Sequence, residues 1–155
     1  MEICTIGYEG LSLPQFLGFL RQNGVRHLID IREAPISRKA GFAKAALAEA
    51  LSAAGIRYTH LRALGCPKPI RDRHRASGDD ERYRRDFGIY LAAQGAALEE
   101  VRRASGAAPT CLMCFEADPA RCHRSLVAEA LRAPDLTVRH IKVRPPSPQT
   151  ELDFG

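Results

Sequence analysis

The feature that constrains the fold most is a strand-loop-helix unit in the last third of the chain. Residues 110–115 form an apolar run with the length and composition of a buried β-strand. The run stops at Glu116, and Asp118 followed by Pro119 has the pattern of an N-cap and a first helical position, which predicts a helix to about Arg132. In such a unit the carboxyl end of the strand and the first free N–H groups of the helix face one crevice, where open α/β sheets bind ligands.

The rest of the chain alternates between strand-like and helix-like segments. Apolar runs predict four further strands, at residues 2–6, 25–31, 56–59 and 136–143. Spacing and caps predict helices from Ser12 to Asn23, along residues 42–54, and from about Asp80 to Ser105. This alternation predicts one α/β domain over residues 1–143, a mainly parallel sheet of about five strands with helices on both faces. Residues 144–155, proline-rich at their start, are expected to form a flexible tail.

Residues 62–80 interrupt this alternation. The stretch holds two prolines and almost no apolar residues. Its basic and titratable residues are Lys68, Arg71, Arg73, His74 and Arg75. We interpret it as a basic surface loop, or lid.

Composition narrows the class of protein. The 155 residues are 45% hydrophobic and 26% charged, as in ordinary globular proteins, and no apolar run approaches the roughly 20 residues of a membrane helix. The first residues lack the basic start of a signal peptide, so we expect a cytoplasmic protein. Five cysteines, an odd number, favour reduced thiols over a disulfide framework. The net charge of +5 is compatible with an anionic partner.

The predicted topology brings four segments together. In a parallel sheet all strand carboxyl ends lie on one edge, so we expect residues 7–9, residues 30–38, His60 and residues 114–124 to form a single pocket.

Several of these segments resemble a known family. TIGYEG, LIDIREAPISR, GIRYTHLRALG and, above all, CFEADPARCHR are similar to the domain of unknown function 488 (DUF488) family of small bacterial and archaeal proteins. The resemblance covers roughly residues 3–133 and implies a fold and a site, but no reaction. The positions it marks in this chain are Gly7, Asp30, Arg32, Pro35, Ser37, Arg38, Tyr58, Gly65, Cys114, Glu116, Cys122, His123 and Arg124.

The first functional hypothesis is a cysteine-dependent hydrolase or transferase. Cys114 is the predicted nucleophile, because a helix N-terminus, here the N–H groups of about Ala120 and Arg121, together with nearby arginines would lower the pKa of its thiol. The remaining catalytic candidates are Glu116, His123 and Cys122. The residues predicted to bind a phosphate-bearing substrate, such as a nucleotide or nucleic acid, are Tyr8, Asp30, Arg32, Ser37, Arg38, His60, Arg121 and Arg124. Structural alternatives stay open: Cys111 and Cys114 as core residues, and Asp30 with its arginines as a salt bridge.

A metal-dependent hydrolase is a second hypothesis, although we expect no cofactor. Cys111 and Cys114 lie three apart on a strand and therefore point to opposite faces. Cys122 and His123, adjacent on a predicted helix, diverge by about 100°. An open site made of Cys114, Glu116, one of Cys122 or His123, and His60 is the form that such a metal centre could take.

The third hypothesis is a DNA-repair accessory module. Its basic stretch at residues 62–75 could follow phosphates. Near the end of the chain, Gln149, Leu152 and Phe154 match the Gln-x-x-Leu-x-Phe peptide with which bacterial replication and repair proteins bind the sliding clamp. Here the two apolar side chains would be the anchors.

Overall fold

The protein folds around one parallel sheet. The computed structural model describes residues 1–143. Its five strands are β1 (Glu2–Gly7), β2 (His27–Asp30), β3 (Arg57–His60), β4 (Thr110–Cys114) and β5 (Thr137–His140). They pair in the order β3-β2-β4-β1-β5, so the first strand and the fourth lie side by side near the centre. The predicted parallel α/β sheet of five strands is confirmed.

Six helices cover the sheet. They are α1 (Leu13–Gln22), α2 (Lys44–Ala53), α3 (Lys68–Ser77), α4 (Asp80–Ala92), α5 (Gly95–Ala107) and α6 (Arg124–Leu131). Two 3-10 turns lie at Arg62–Leu64 and Pro119–Arg121. The start of α1 follows the predicted signal, since Ser12 and Gln15 form a reciprocal capping box.

Two apolar cores lie on opposite faces of the sheet. One contains buried residues of α1 and α2, and the other contains buried residues of α3 to α6. Strand β4 contributes to both, because Cys111 and Met113 join the first core whereas Leu112 and Cys114 join the second. Cys111 and Cys114 therefore point to opposite faces, as their spacing predicts.

The expected basic loop is instead the helix α3. Pro69 lies in its first turn, where proline is tolerated, and Lys68 pairs with Asp72 one turn later at 2.7 Å. One buried apolar residue, Ile70, anchors the helix on the core. The composition of residues 62–80 hid this helix because a single anchor gives no apolar periodicity.

The expected long helix over residues 80–105 is two helices. Helix α4 ends at Ala92 and α5 begins at Gly95. The apolar residues Leu91 and Leu98 keep helical spacing across the break, so periodicity could not reveal it. Gly95 is a poor helix former and is the local signal for the interruption.

The helix predicted to open at Asp118 also starts later. Asp118 caps only a 3-10 turn, its carboxylate accepting from the N–H of Ala120 at 2.9 Å. The chain is extended again at Cys122, and α6 begins at Arg124. Arg124 donates from its side chain to the carbonyl oxygens of Glu116 and Ala117, which ties the whole segment back to the end of β4.

Candidate active site

A cavity of about 650 Å³ lies between α3, α4 and the segment that follows β4. That volume falls in the range of small-molecule sites. The segment after β4 contributes four of the predicted site residues to the wall: Glu116, Arg121, Cys122 and His123.

The cavity wall is strongly basic. Two of its arginines, Arg71 and Arg75, lie on α3 beside His74, a third, Arg84, lies on α4, and Arg121 lies in the 3-10 turn. The carboxylates in the wall are Asp80 and Glu116, so cationic side chains outnumber anionic ones. This wall favours an anionic ligand.

Cys122 brings a sulfur atom to the cavity and meets a second cysteine behind it. The Sγ atoms of Cys114 and Cys122 are in direct contact. Cys114 lies at the end of β4, is 1% exposed, and is not part of the cavity wall. Cys4, Cys66 and Cys111 are free thiols, as expected.

Each sulfur atom of the pair accepts a hydrogen bond from Arg124. Nη1 of Arg124 donates to Sγ of Cys114 at 3.2 Å, and the backbone N–H of Arg124 donates to Sγ of Cys122 at 3.4 Å. The N–H groups of Ala120 and Arg121, predicted to face Cys114, bond to Asp118 instead. Both donors that stabilise a sulfur anion thus come from one residue, Arg124, at the start of α6.

His123 lies beside the thiol of Cys122 in one defined tautomer. Its Nε2 is 2.8 Å from the carbonyl oxygen of Ile31, so this nitrogen carries the proton and donates. Nδ1 is then an acceptor, 3.5 Å from Sγ of Cys122. Burial lowers the pKa of His123 to about 4, so the ring is neutral at pH 7.

Glu116 places a titratable carboxyl group against the two sulfurs. A carboxylate oxygen and the sulfur atoms of Cys114 and Cys122 lie within 4.8 Å of one another. Burial raises the pKa of Glu116 above that of a free glutamate, which favours its role as a proton donor. These three residues are also the group whose spacing and chemistry suit a metal ion such as zinc.

Asp30 and Arg32 form a buried ion pair beneath the sheet edge. Asp30 accepts hydrogen bonds from Nε, Nη2 and the backbone N–H of Arg32, the shortest at 2.7 Å, and one from the hydroxyl of Tyr58 at 2.6 Å. Nη1 of Arg32 bonds to the hydroxyl of Tyr8 and to the carbonyl of Phe42. Burial alone would lower the pKa of Arg32, but Asp30 outweighs it and raises that pKa. The donors of Arg32 are thus engaged within the protein.

Arg124, a predicted substrate binder, is fully buried. Nε donates to the hydroxyl of Thr5 at 3.0 Å, Nη1 to Cys114 and Glu116, and Nη2 to Ala117. Within residues 1–143 no buried side-chain nitrogen or oxygen lacks a partner, and Arg124 accounts for several of those pairs. Arg124 is therefore a structural cation that does not contact a ligand in the cavity directly. It would affect a ligand only through its hydrogen bonds to the sulfur atoms of Cys114 and Cys122.

The remaining predicted binders lie outside the cavity wall. The hydroxyl of Ser37 accepts from the N–H of Lys39, and Arg38 is exposed in the loop before α2. Nε2 of His60 donates to the carbonyl oxygen of Arg32 at 2.7 Å. The edge segments do converge, but their polar groups bond mostly to one another.

Sequence reasoning missed the wall formed by α3 and α4. Arg71, His74 and Arg75 were predicted only as part of a basic loop or lid, and the other residues on this side, Cys66 before α3 and Asp80, Tyr83 and Arg84 on α4, were not predicted as site residues. A signal was present: residues 71, 74 and 75, and again residues 80, 83 and 84, have the i, i+3, i+4 spacing of one helical face. Burial raises the pKa of the Cys66 thiol to about 11, so this second cavity thiol stays protonated near neutral pH.

Comparison with protein families identifies the chain. The family described as "Domain of unknown function DUF488" matches residues 12–131, more than half of the sequence. The chain belongs to the DUF488 family. In this DUF488 protein the match includes Cys114, Cys122 and Arg124 and begins after β1, so Tyr8 lies outside it. Comparison with curated proteins and with solved structures gives no match.

Two further expectations concern partners of this DUF488 protein. Among the described residues there is no helix long and apolar enough to cross a membrane. The predicted clamp-binding residues Gln149, Leu152 and Phe154 lie outside the described residues and stay a prediction.

Proposed function

We propose that this DUF488 protein is a cysteine-dependent enzyme that acts on a phosphate-bearing substrate, with Cys122 in place of Cys114 as the nucleophile. One observation carries the proposal: Cys122 lies in the wall of a cavity that four arginines also line. A nucleotide or a nucleic-acid end has the charge for such a wall and the size for a cavity of about 650 Å³. A cytoplasmic location, where the pair would be kept reduced, is part of the same proposal.

The proposed reaction begins with the reduced pair. The thiolate of Cys122, stabilised by the N–H of Arg124, attacks phosphorus while the arginines hold the phosphate oxygens. The protonated carboxyl of Glu116 gives its proton to the leaving group. Water, or an acceptor hydroxyl, then displaces the phosphoryl group from sulfur and gives a proton back to Glu116.

His123 has a positioning role in this scheme. In the resting thiol form its neutral Nδ1 accepts a hydrogen bond from Cys122, a bond that is lost when the thiolate forms, and its protonated Nε2 is fixed by Ile31. The ring therefore orients the sulfur toward the cavity. Its low pKa makes it a weak base, so the acid and base steps are assigned to Glu116.

The anion site can be tested with inorganic phosphate and tungstate, by calorimetric titration of the reduced protein. We expect Arg84→Ala and Arg121→Ala each to weaken binding by about tenfold, because each removes one cationic ligand of the anion. Arg85→Ala is the matched control, since Arg85 is the next residue on α4, is also exposed, and lies outside the cavity wall. Equal affinities for all three variants and the wild type would refute the anion site.

The nucleophile can be tested by alkylation of the reduced protein with iodoacetamide across pH, followed by peptide mass spectrometry. We expect Cys122 to react with an apparent pKa below the free value of about 8.5, and phosphate to protect it. Cys66 lines the same cavity and serves as the internal control, because its raised pKa should keep it slow. A Cys122 that reacts no faster than Cys66, with or without phosphate, would rule out this assignment.

A second candidate function is that of a DNA-repair accessory protein bound to the sliding clamp. The observation in its favour is the spacing of Gln149, Leu152 and Phe154, which matches the clamp-binding peptide Gln-x-x-Leu-x-Phe. Loss of clamp binding in the double variant Leu152→Ala, Phe154→Ala, with phosphate binding retained, would show that docking and the cavity act independently.

A further inference from the structure

We propose that Cys122 is a site of reversible oxidation by hydroperoxides and that Cys114 is the thiol that resolves it as a disulfide. The oxidation stands on the arrangement of the two sulfurs. Its consequence, that the disulfide removes the nucleophile and switches the enzyme off, rests on the proposed function.

The two cysteines are placed asymmetrically, as a reacting thiol and a resolving thiol must be. Cys122, 3% exposed, lines the cavity that a small oxidant would enter, whereas Cys114, 1% exposed, lies at the end of β4 and is not part of the cavity wall. Their Sγ atoms are nevertheless in direct contact. An oxidised Cys122 therefore meets a second sulfur before it meets anything else from solution.

Donors at both sulfurs favour the anionic form that each step needs. The backbone N–H of Arg124 bonds to Cys122, and the guanidinium of the same residue bonds to Cys114. Oxidation and resolution both begin with a thiolate. Arg124 thus donates a hydrogen bond to each of the two sulfur atoms that react.

The disulfide can open without loss of the local fold. The two cysteines are eight positions apart, joined by a segment whose only regular structure is the turn Pro119–Arg121. That segment is held independently by Arg124, which bonds to the carbonyl oxygens of Glu116 and Ala117. The carboxylate of Asp118 also caps the turn. None of these three hydrogen bonds involves a sulfur atom.

The chemistry balances with a hydroperoxide as the oxidant. The thiolate of Cys122 attacks the terminal peroxide oxygen; the S–O bond forms, the O–O bond breaks, and the alcohol or water leaves with one proton. The thiolate of Cys114 then attacks the sulfenic sulfur; the S–S bond forms, the S–O bond breaks, and hydroxide leaves as water after taking a proton. Two thiols lose two electrons and two protons to the peroxide, and an external dithiol returns them by exchange.

The other three cysteines are poor candidates for this reaction. Cys4 and Cys111 are buried in the core on the opposite face of the sheet. Cys66 lines the cavity, but its thiol points to the carbonyl of Pro67 and its pKa is raised by burial. Selectivity for Cys122 among cavity thiols follows from its donors.

The test treats reduced, metal-free, full-length protein with one equivalent of hydrogen peroxide, then alkylates it and maps peptides by mass spectrometry. We expect a peptide that links Cys114 to Cys122, with the other three cysteines alkylated and the change reversed by dithiothreitol. In Cys114→Ser we expect a sulfenic acid on Cys122 that dimedone traps. In Cys122→Ser we expect Cys114 to stay reduced. The matched control Cys66→Ser, which removes the other cavity thiol, should form the link normally.

Three results would overturn the proposal. In the first, Cys114 and Cys122 are both alkylated after peroxide treatment, so no link has formed. In the second, Cys66 is oxidised before Cys122. In the third, the protein binds a stoichiometric metal ion through both thiols, and Cys114→Ser or Cys122→Ser loses it. The disulfide test needs no substrate, so it is independent of phosphate binding. If the link forms but the protein does not bind phosphate, the proposed function is refuted and the oxidation site stands. If the protein binds phosphate but no link forms, only the oxidation site is refuted.

Discussion

Arg124 carries a guanidinium group into the interior, where its partners are a hydroxyl, a sulfur and two carbonyl oxygens. Arg32, which is 7% exposed, instead pairs with the carboxylate of Asp30. The partners of Arg124 are thus uncharged acceptors in several directions. Arginine can donate to all of them because its planar guanidinium has five N–H donors, whereas lysine has a single ammonium group. One residue thereby joins β1, β4 and the segment that carries Cys122.

Arg124→Lys should destabilise the protein by roughly 3 kcal/mol, since a buried ammonium would leave several of these acceptors without a donor. Urea denaturation of the reduced protein measures the free energy of unfolding directly. Arg85→Lys, an exposed site, should change it by less than about 0.5 kcal/mol. Equal midpoints for the two variants would show that the network around Arg124 contributes little.

The second prediction at this scale concerns His123 and pH. Its pKa is lowered to about 4 in the folded protein, against an ordinary value of 6.5, so between these values the unfolded chain binds the proton more readily. The contribution to stability is therefore complete above pH 6.5 and is lost as the pH falls toward 4. Because the ring borders the cavity, we expect a loss of roughly 2 kcal/mol.

Urea titrations at pH 7 and pH 4.5 test this, with His123→Gln as the comparison. The variant should lose less stability on acidification than the wild type does. Nuclear magnetic resonance of the imidazole gives the pKa itself, and a His123 that titrates near 6.5 would contradict the prediction.

At the scale of elements, the strand-helix alternation was enough to predict the sheet and both helical layers. The elements it missed have identifiable causes: α3 has only Ile70 as a buried anchor, and the break before Gly95 leaves the apolar spacing in phase. The late start of α6 depends on the side chain of Arg124, which reaches back to Glu116. A cap motif such as Asp118-Pro119 predicts where a helical turn can begin. Whether that turn continues into an α-helix depends on tertiary contacts such as those of Arg124.

Close packing between β1 and the segment after β4 gives the third prediction. A Cβ atom on Gly7 would overlap the carbonyl group of Glu116 and lie 2.7 Å from Nη1 of Arg124. Gly7→Ala should therefore destabilise the protein by roughly 3 kcal/mol and displace Glu116 from the sulfurs. Gly18→Ala is the matched control, because nothing lies near that position in α1 and alanine should stabilise the helix by about 0.5–1 kcal/mol. Destabilisation by both variants, or by neither, would refute the steric argument.

At the scale of the whole molecule, the sequence predicted residues on one side of the cavity and did not predict the other side. Cys122, His123, Glu116 and Arg121 were identified because they follow a buried strand, and all four line the cavity. Their opposite wall comes from α3 and α4, which are distant in sequence and were not recognised as one surface. The polar residues at the ends of β2 and β3 looked equally suited to a ligand, and only three-dimensional contacts show that they bond to one another.

The last prediction concerns the boundary of the domain. Residues 1–143, the part of the chain that the structure describes, contain five strands, six helices and the cavity wall. Removal of residues 144–155 should therefore change the free energy of unfolding by less than about 0.5 kcal/mol, and should leave phosphate affinity and the Cys114–Cys122 link unchanged. Clamp binding, measured by surface plasmon resonance, should be abolished, because the predicted anchors Leu152 and Phe154 are gone. A truncated protein with a lower denaturation midpoint would instead make the C-terminal residues part of the folded domain.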